Sequence, residues 1–102
     1  MTDQLQRYRI LIAEDEAFIS EELKSQLEDF GHEVIGIATD FLQAKELLKE
    51  QPDFCFLDIR MKGKDVGFEI AHYINKNYQI PFIFLTSFGN AEMVQKAVKY
   101  AP

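Results

Sequence analysis

Four short apolar runs, at residues 8 to 13, 34 to 38, 54 to 57 and 82 to 85, alternate along the chain with segments whose apolar residues recur every three or four positions. Apolar runs of that length suit strands buried on both faces, and the three- to four-residue spacing suits amphipathic helices. From 17 to 30, Ile19, Leu23, Leu27 and Phe30 form one stripe among acids and lysine, and Gly31 follows as a stop. From 41 to 50, Ala44, Leu47 and Leu48 share a face behind a capping Asp40, and Gln51-Pro52 ends the turn. Residues 67 to 77 carry Phe68, Ala71 and Ile74, and 90 to 100 carry Met93, Val94, Ala97 and Val98 after a capping Asn90. Strand-helix alternation of this kind predicts an α/β, doubly wound parallel sheet covered by helices on both sides. Right-handed crossovers leave few topologies for it.

A chain of 102 residues, 47% hydrophobic and 27% charged, is a single folded domain, and no linker or repeat divides it. The formal charge of -6 and the lack of a basic stripe argue against direct nucleic-acid binding and against an anionic membrane surface. No apolar run approaches the ~18 residues of a membrane span, and no signal segment is present, so a cytoplasmic protein is expected. The single cysteine, Cys55, lies inside FCFL and reads as a small core residue.

In an open parallel sheet the functional cleft lies at the carboxyl ends of the strands. The first run, ILIAEDE, passes abruptly into Glu14, Asp15 and Glu16; the third, FCFLD, ends on Asp58; the fourth, IPFIFLTS, ends on Thr86 and Ser87. Three carboxylates and a hydroxyl are therefore delivered to one edge. Two unit charges ~4 Å apart repel by about 1 kcal/mol in water and about 4 kcal/mol at the effective dielectric of a protein surface. Glu14, Asp15 and Asp58 must then hold a proton or a cation, and hard oxygens at an open site suit Mg²⁺. Asp58, closing an apolar strand before IRMKGKDVG with its Gly63 and Gly67, is placed as a nucleophile toward phosphorus, with Thr86 as a hydrogen-bond donor.

Together, ILIAEDE, FLDIRMKGKDVGFEIA and FIFLTS resemble the receiver domain of two-component response regulators, over about residues 8 to 100. The resemblance implies a flavodoxin-like receiver fold with strand order 2-1-3-4. It implies Asp58 as phosphoacceptor and Thr86 as the switch hydroxyl. Asp15 and Asp58 would bind Mg²⁺ directly, Glu14 through water, and the backbone carbonyl of Arg60 would complete the set. The partner implied is a sensor histidine kinase or phosphotransfer domain, with an output domain outside this chain. The activity implied is confined to metal-dependent self-phosphorylation and self-dephosphorylation at Asp58.

Two features depart from the family. Lys62 stands where a proline is often found, and the family's fifth strand, with its phosphoryl-contacting lysine, and fifth helix have no counterpart in these residues. The expectation is a C-terminally incomplete receiver over residues 1–102 that is less stable, self-associating through the exposed edge of the fourth strand, or rearranged at residues 86 to 102, and that is poorly phosphorylated. Lys62, Lys64, Lys96 and Lys99 read as solvated charges, His32 and His72 as surface residues, and Phe88 as an exposed candidate contact. Two other classes compete: a receiver-like interaction module that is never phosphorylated, and an aspartyl-phosphate hydrolase. The hydrolase would want a second acid two residues beyond the nucleophile, where Arg60 stands.

Overall fold

A computed structural model of the chain describes residues 6–85. In order they form β1 (Arg9–Ala13), α1 (Ala17–Asp29), β2 (Glu33–Ala38), α2 (Phe41–Leu48), β3 (Phe54–Asp58), α3 (Val66–Asn77) and β4 (Phe82–Leu85). The four strands make one sheet in the order β2-β1-β3-β4, and every pairing is parallel. The expected strand order is thus observed. The expected helix at 90 to 100, Thr86, Phe88, Lys96, Lys99 and the anticipated rearrangement of 86 to 102 lie outside the described residues.

Side-chain alternation along the strands divides the interior into two layers. Leu11, Ala13, Cys55, Leu57 and Phe82 face Ala44 and Leu48 of α2 and Ile70, Ala71 and Ile74 of α3. Ile10, Ile12 and Val34 face the other way, against Leu23 and Leu27 of α1, with Phe54 and Phe56 beside them. Cys55 is fully buried in the first layer, and burial pushes its thiol up to about 12, so it packs and does not react.

The α1 stripe needs correction at both ends. Leu23 and Leu27 pack inward, but Ile19 is 46% and Phe30 71% exposed, whereas Ser20 is buried. Ser20, Leu23 and Leu27 follow the same three- and four-residue steps, rotated toward the sheet, and the Ser20 hydroxyl is satisfied by the Ala17 carbonyl at 3.2 Å. His32 also does more than sit in a turn. Its Nδ1 accepts the Tyr8 N–H at 3.2 Å, and the two rings pack at a tilt of 35° with centroids 5.3 Å apart, which ties the entry of β1 to the entry of β2.

At the amino edge of the sheet Arg9 locks the register. Its N–H donates to Asp53 Oδ2 at 2.8 Å, and its guanidinium donates to the Glu50 and Gln51 carbonyls just past the end of α2, at 2.9 and 3.3 Å. At the opposite edge Gly67 governs how α3 meets β3. Its N–H donates to the Ile59 carbonyl at 2.9 Å, and a Cβ at this position would lie 2.2 Å from the Asp58 carbonyl oxygen. The sequence suggests a turn role for Gly67; the structure sets it inside α3, where the requirement is space against backbone. Gly67→Ala is therefore expected to destabilise the domain by about 1–3 kcal/mol through overpacking, as read by a lower denaturant midpoint.

Candidate functional site

The register of β1 against β3 builds the site. Ala13 pairs with Leu57, and the Glu14 N–H continues the ladder onto the Ala38 carbonyl at 2.9 Å, so Glu14 and Asp58 emerge side by side at the carboxyl edge. Asp15 follows on the loop into α1. One oxygen from each of Glu14, Asp15 and Asp58 lies within 4.8 Å of the others. The three acids picked from the strand ends are brought together.

Their environments differ. Glu14 is only 4% exposed, and its Oε2 accepts the Glu16 N–H at 2.9 Å. Burial, with the nearby charges of Asp58 and Asp15 adding to it, pushes its carboxyl up to about 7. Asp58 is also raised, by burial first and by Asp15, against the opposing effects of a hydrogen bond with Glu14 and another from the Arg60 N–H. Both carboxyls are thus raised, Glu14 up to about 7, and the hydrogen bond between them links their titrations. Mutual repulsion, the reason for expecting a cation from sequence, is real here but second to desolvation.

Asp15 has a partner that sequence reasoning missed. Its Oδ2 accepts the backbone N–H of Lys62 at 2.8 Å, across 47 positions of chain. Lys62 keeps its exposed side chain in solvent, as expected, while its amide enters the site. Arg60 contributes its backbone N–H to Asp58, and its guanidinium turns away to the Gly63 carbonyl at 2.8 Å and toward Asp65 at 3.8 Å. Thr86 lies outside the described residues; the residue before it, Leu85, pairs with Asp58.

Three hard carboxylate oxygens gathered this closely, two of them on carboxyls raised by burial, fit a small divalent cation. Mg²⁺ keeps several of its waters and takes only a few protein oxygens, so such a set could hold one ion by some carboxylates directly and by others through water.

A family model described as the response regulator receiver domain matches residues 10–101. The chain belongs to this family. It is 37% identical over 90 residues to the transcriptional regulatory protein PdtaR of Mycobacterium tuberculosis, a match covering 87% of this chain and 43% of that protein. The signal receiver domain of a modulated diguanylate cyclase from Desulfovibrio desulfuricans superposes with a TM-score of 0.82 at 29% identity, over 93% of this chain and 76% of the other. A LuxR-family DNA-binding response regulator from Staphylococcus aureus gives a TM-score of 0.80 at 28% identity, over 91% and 79%. The chain spans less than half the length of PdtaR. Among the described residues of this receiver, no helix is long and apolar enough to cross a membrane.

The raised Glu14 carboxyl has a signed consequence for stability. Its folded pKa of about 7 exceeds the ordinary 4.5, so the folded state holds more protons between those values. The stability it contributes is complete below about pH 4.5 and is lost as pH rises through about 7. In chelator, the melting temperature of the parent minus that of Glu14→Gln should fall over this window. Saturating Mg²⁺ should flatten the fall. A pH-independent difference in chelator would contradict the assignment.

Proposed function

We propose that this receiver accepts a phosphoryl group on Asp58 from the phosphohistidine of a sensor kinase or phosphotransfer domain, in a Mg²⁺-dependent reaction. The observation that carries the reading is the close set of oxygens from Glu14, Asp15 and Asp58, with Asp58 only partly buried. Asp15, Asp58 and the Arg60 carbonyl are the direct ligands in this reading, and Glu14 acts through water. When bound, Mg²⁺ would supply positive charge that favours the ionised carboxylates and offsets the charge of the phosphoryl oxygens.

In the reaction, a carboxylate oxygen of Asp58 forms a bond to phosphorus as the phosphorus–nitrogen bond to the histidine breaks, and the departing imidazole keeps the bonding pair. The Arg60 N–H, already donating to the Asp58 carboxylate, holds it in place. Hydrolysis of the resulting acyl phosphate resets the domain, so Asp58 chemistry is confined to self-phosphorylation and self-dephosphorylation. Thr86 is the hydroxyl that reads the phosphoryl group and shifts the domain between two states. Output belongs to a further domain or a bound partner. A cytoplasmic location goes with this reading, because kinase phosphohistidine is formed where ATP is.

Mass spectrometry after acetyl phosphate treatment tests the proposal. The parent should gain a hydroxylamine-sensitive phosphoryl group at low occupancy with Mg²⁺ and none in chelator, and Asp58→Asn should gain none. Thr86→Ala should keep the label but lose most of the accompanying spectroscopic change. Equal labelling of Asp58→Asn would sink the assignment, and an unlabelled parent that still binds a partner would favour the interaction-module reading. Self-association is part of the same proposal, since among the described residues β4 pairs on one side only. A sedimentation coefficient that rises with concentration is the expected result.

A further inference from the structure

The segment from Met61 to Lys64 is a two-residue hairpin. Met61 and Lys64 exchange both backbone hydrogen bonds, at 2.9 and 3.1 Å, and the two residues between them have positive φ, 54° at Lys62 and 75° at Gly63. This is a type I′ turn, the tight turn that needs the left-handed region at both central positions. Glycine adopts that region freely. Lysine does so at a cost, and side chains beyond Asn and Asp are uncommon there.

Proline is excluded by this turn, because its ring fixes φ near about −65°. The strained conformation has a visible result. It aims the Lys62 N–H at Asp15 Oδ2, 2.8 Å away, while the Lys62 side chain stays exposed. Asp15 lies on the loop after β1 and has no other hydrogen bond among those identified in the described residues, so this amide is what orients its carboxylate.

We propose that the backbone N–H of Lys62 is a positioning group for the cation site, holding one oxygen of Asp15 so that the other is presented to Mg²⁺. This rests on the Mg²⁺-dependent reading above. A carboxylate has two oxygens, and fixing one removes the rotation that a free aspartate would have to give up on binding metal. Groups that orient metal ligands in this way commonly change metal affinity by about 10- to 100-fold. The role belongs to the amide and to the turn that aims it, so the lysine side chain is dispensable and the N–H is not.

Calorimetric titration of Mg²⁺ into the full chain, for the parent, Lys62→Asn and Lys62→Pro, tests this. Asparagine tolerates the left-handed region and keeps the N–H, so Lys62→Asn should bind within about threefold of the parent, and Lys62→Pro at least about tenfold more weakly. A second measurement covers a Lys62→Pro chain that does not fold: hydrogen exchange of the Lys62 amide in the parent and in Asp15→Ala. Slow exchange in the parent that becomes fast in Asp15→Ala supports the role, and equally fast exchange in both overturns it. If the parent binds Mg²⁺ and folded Lys62→Pro binds it as tightly, the positioning role alone is overturned. If the parent binds no Mg²⁺, the functional reading falls and takes this role with it.

Discussion

Everything at the carboxyl edge depends on the register of β1 against β3. With Ala13 opposite Leu57, the next residue on each strand is an acid, and two carboxyl groups are set side by side where the apolar interior ends. A slip of one residue would turn every side chain to the other layer, exchanging Leu11 with Ile12 and Cys55 with Phe56, and would separate Glu14 from Asp58. The core therefore enforces the site. The Arg9–Asp53 bond at the far end of the same strands holds the same register from the other side.

Such a site works against the fold that carries it. Glu14 is buried beside a second raised carboxyl, so without a cation the ionised forms of the pair are disfavoured. A hydrophobic residue at either position would pack at no electrostatic cost. Retaining acids there makes the domain responsive, since whatever neutralises them stabilises the folded state in proportion to its binding. The left-handed Lys62 and the Gly67 pressed against the Asp58 backbone are further local costs concentrated around the same three acids.

Most of the architecture could be read from the chain in advance. The four apolar runs are the four strands to within a residue or two, the three helices before residue 86 begin and end near their expected positions, and the two-layer core follows from alternation. The errors share a cause. The stripe of α1 was legible as a period but not as a phase, because which 100° of a helix faces inward is decided by where it lands on the sheet; hence Ser20 is buried and Phe30 exposed. His32 gave no sign of its partner because Tyr8 lies 24 positions away.

For the site, the sequence by itself determined which atoms are available: strand ends bearing Glu14, Asp15 and Asp58, and a glycine-containing loop after Asp58. Their identity as hard, anionic oxygen donors is a property of residue type and order along the chain. Tertiary structure alone decided how they are used. Burial, more than mutual repulsion, raises Glu14, and that depends on the surfaces packed around it. Lys62 enters the site through its backbone, and a backbone N–H is present at every residue but proline, so no residue pattern marks the one that will find a carboxylate 47 positions away. Direction and desolvation are properties of packed elements, and a linear chain carries neither until its strands are in register.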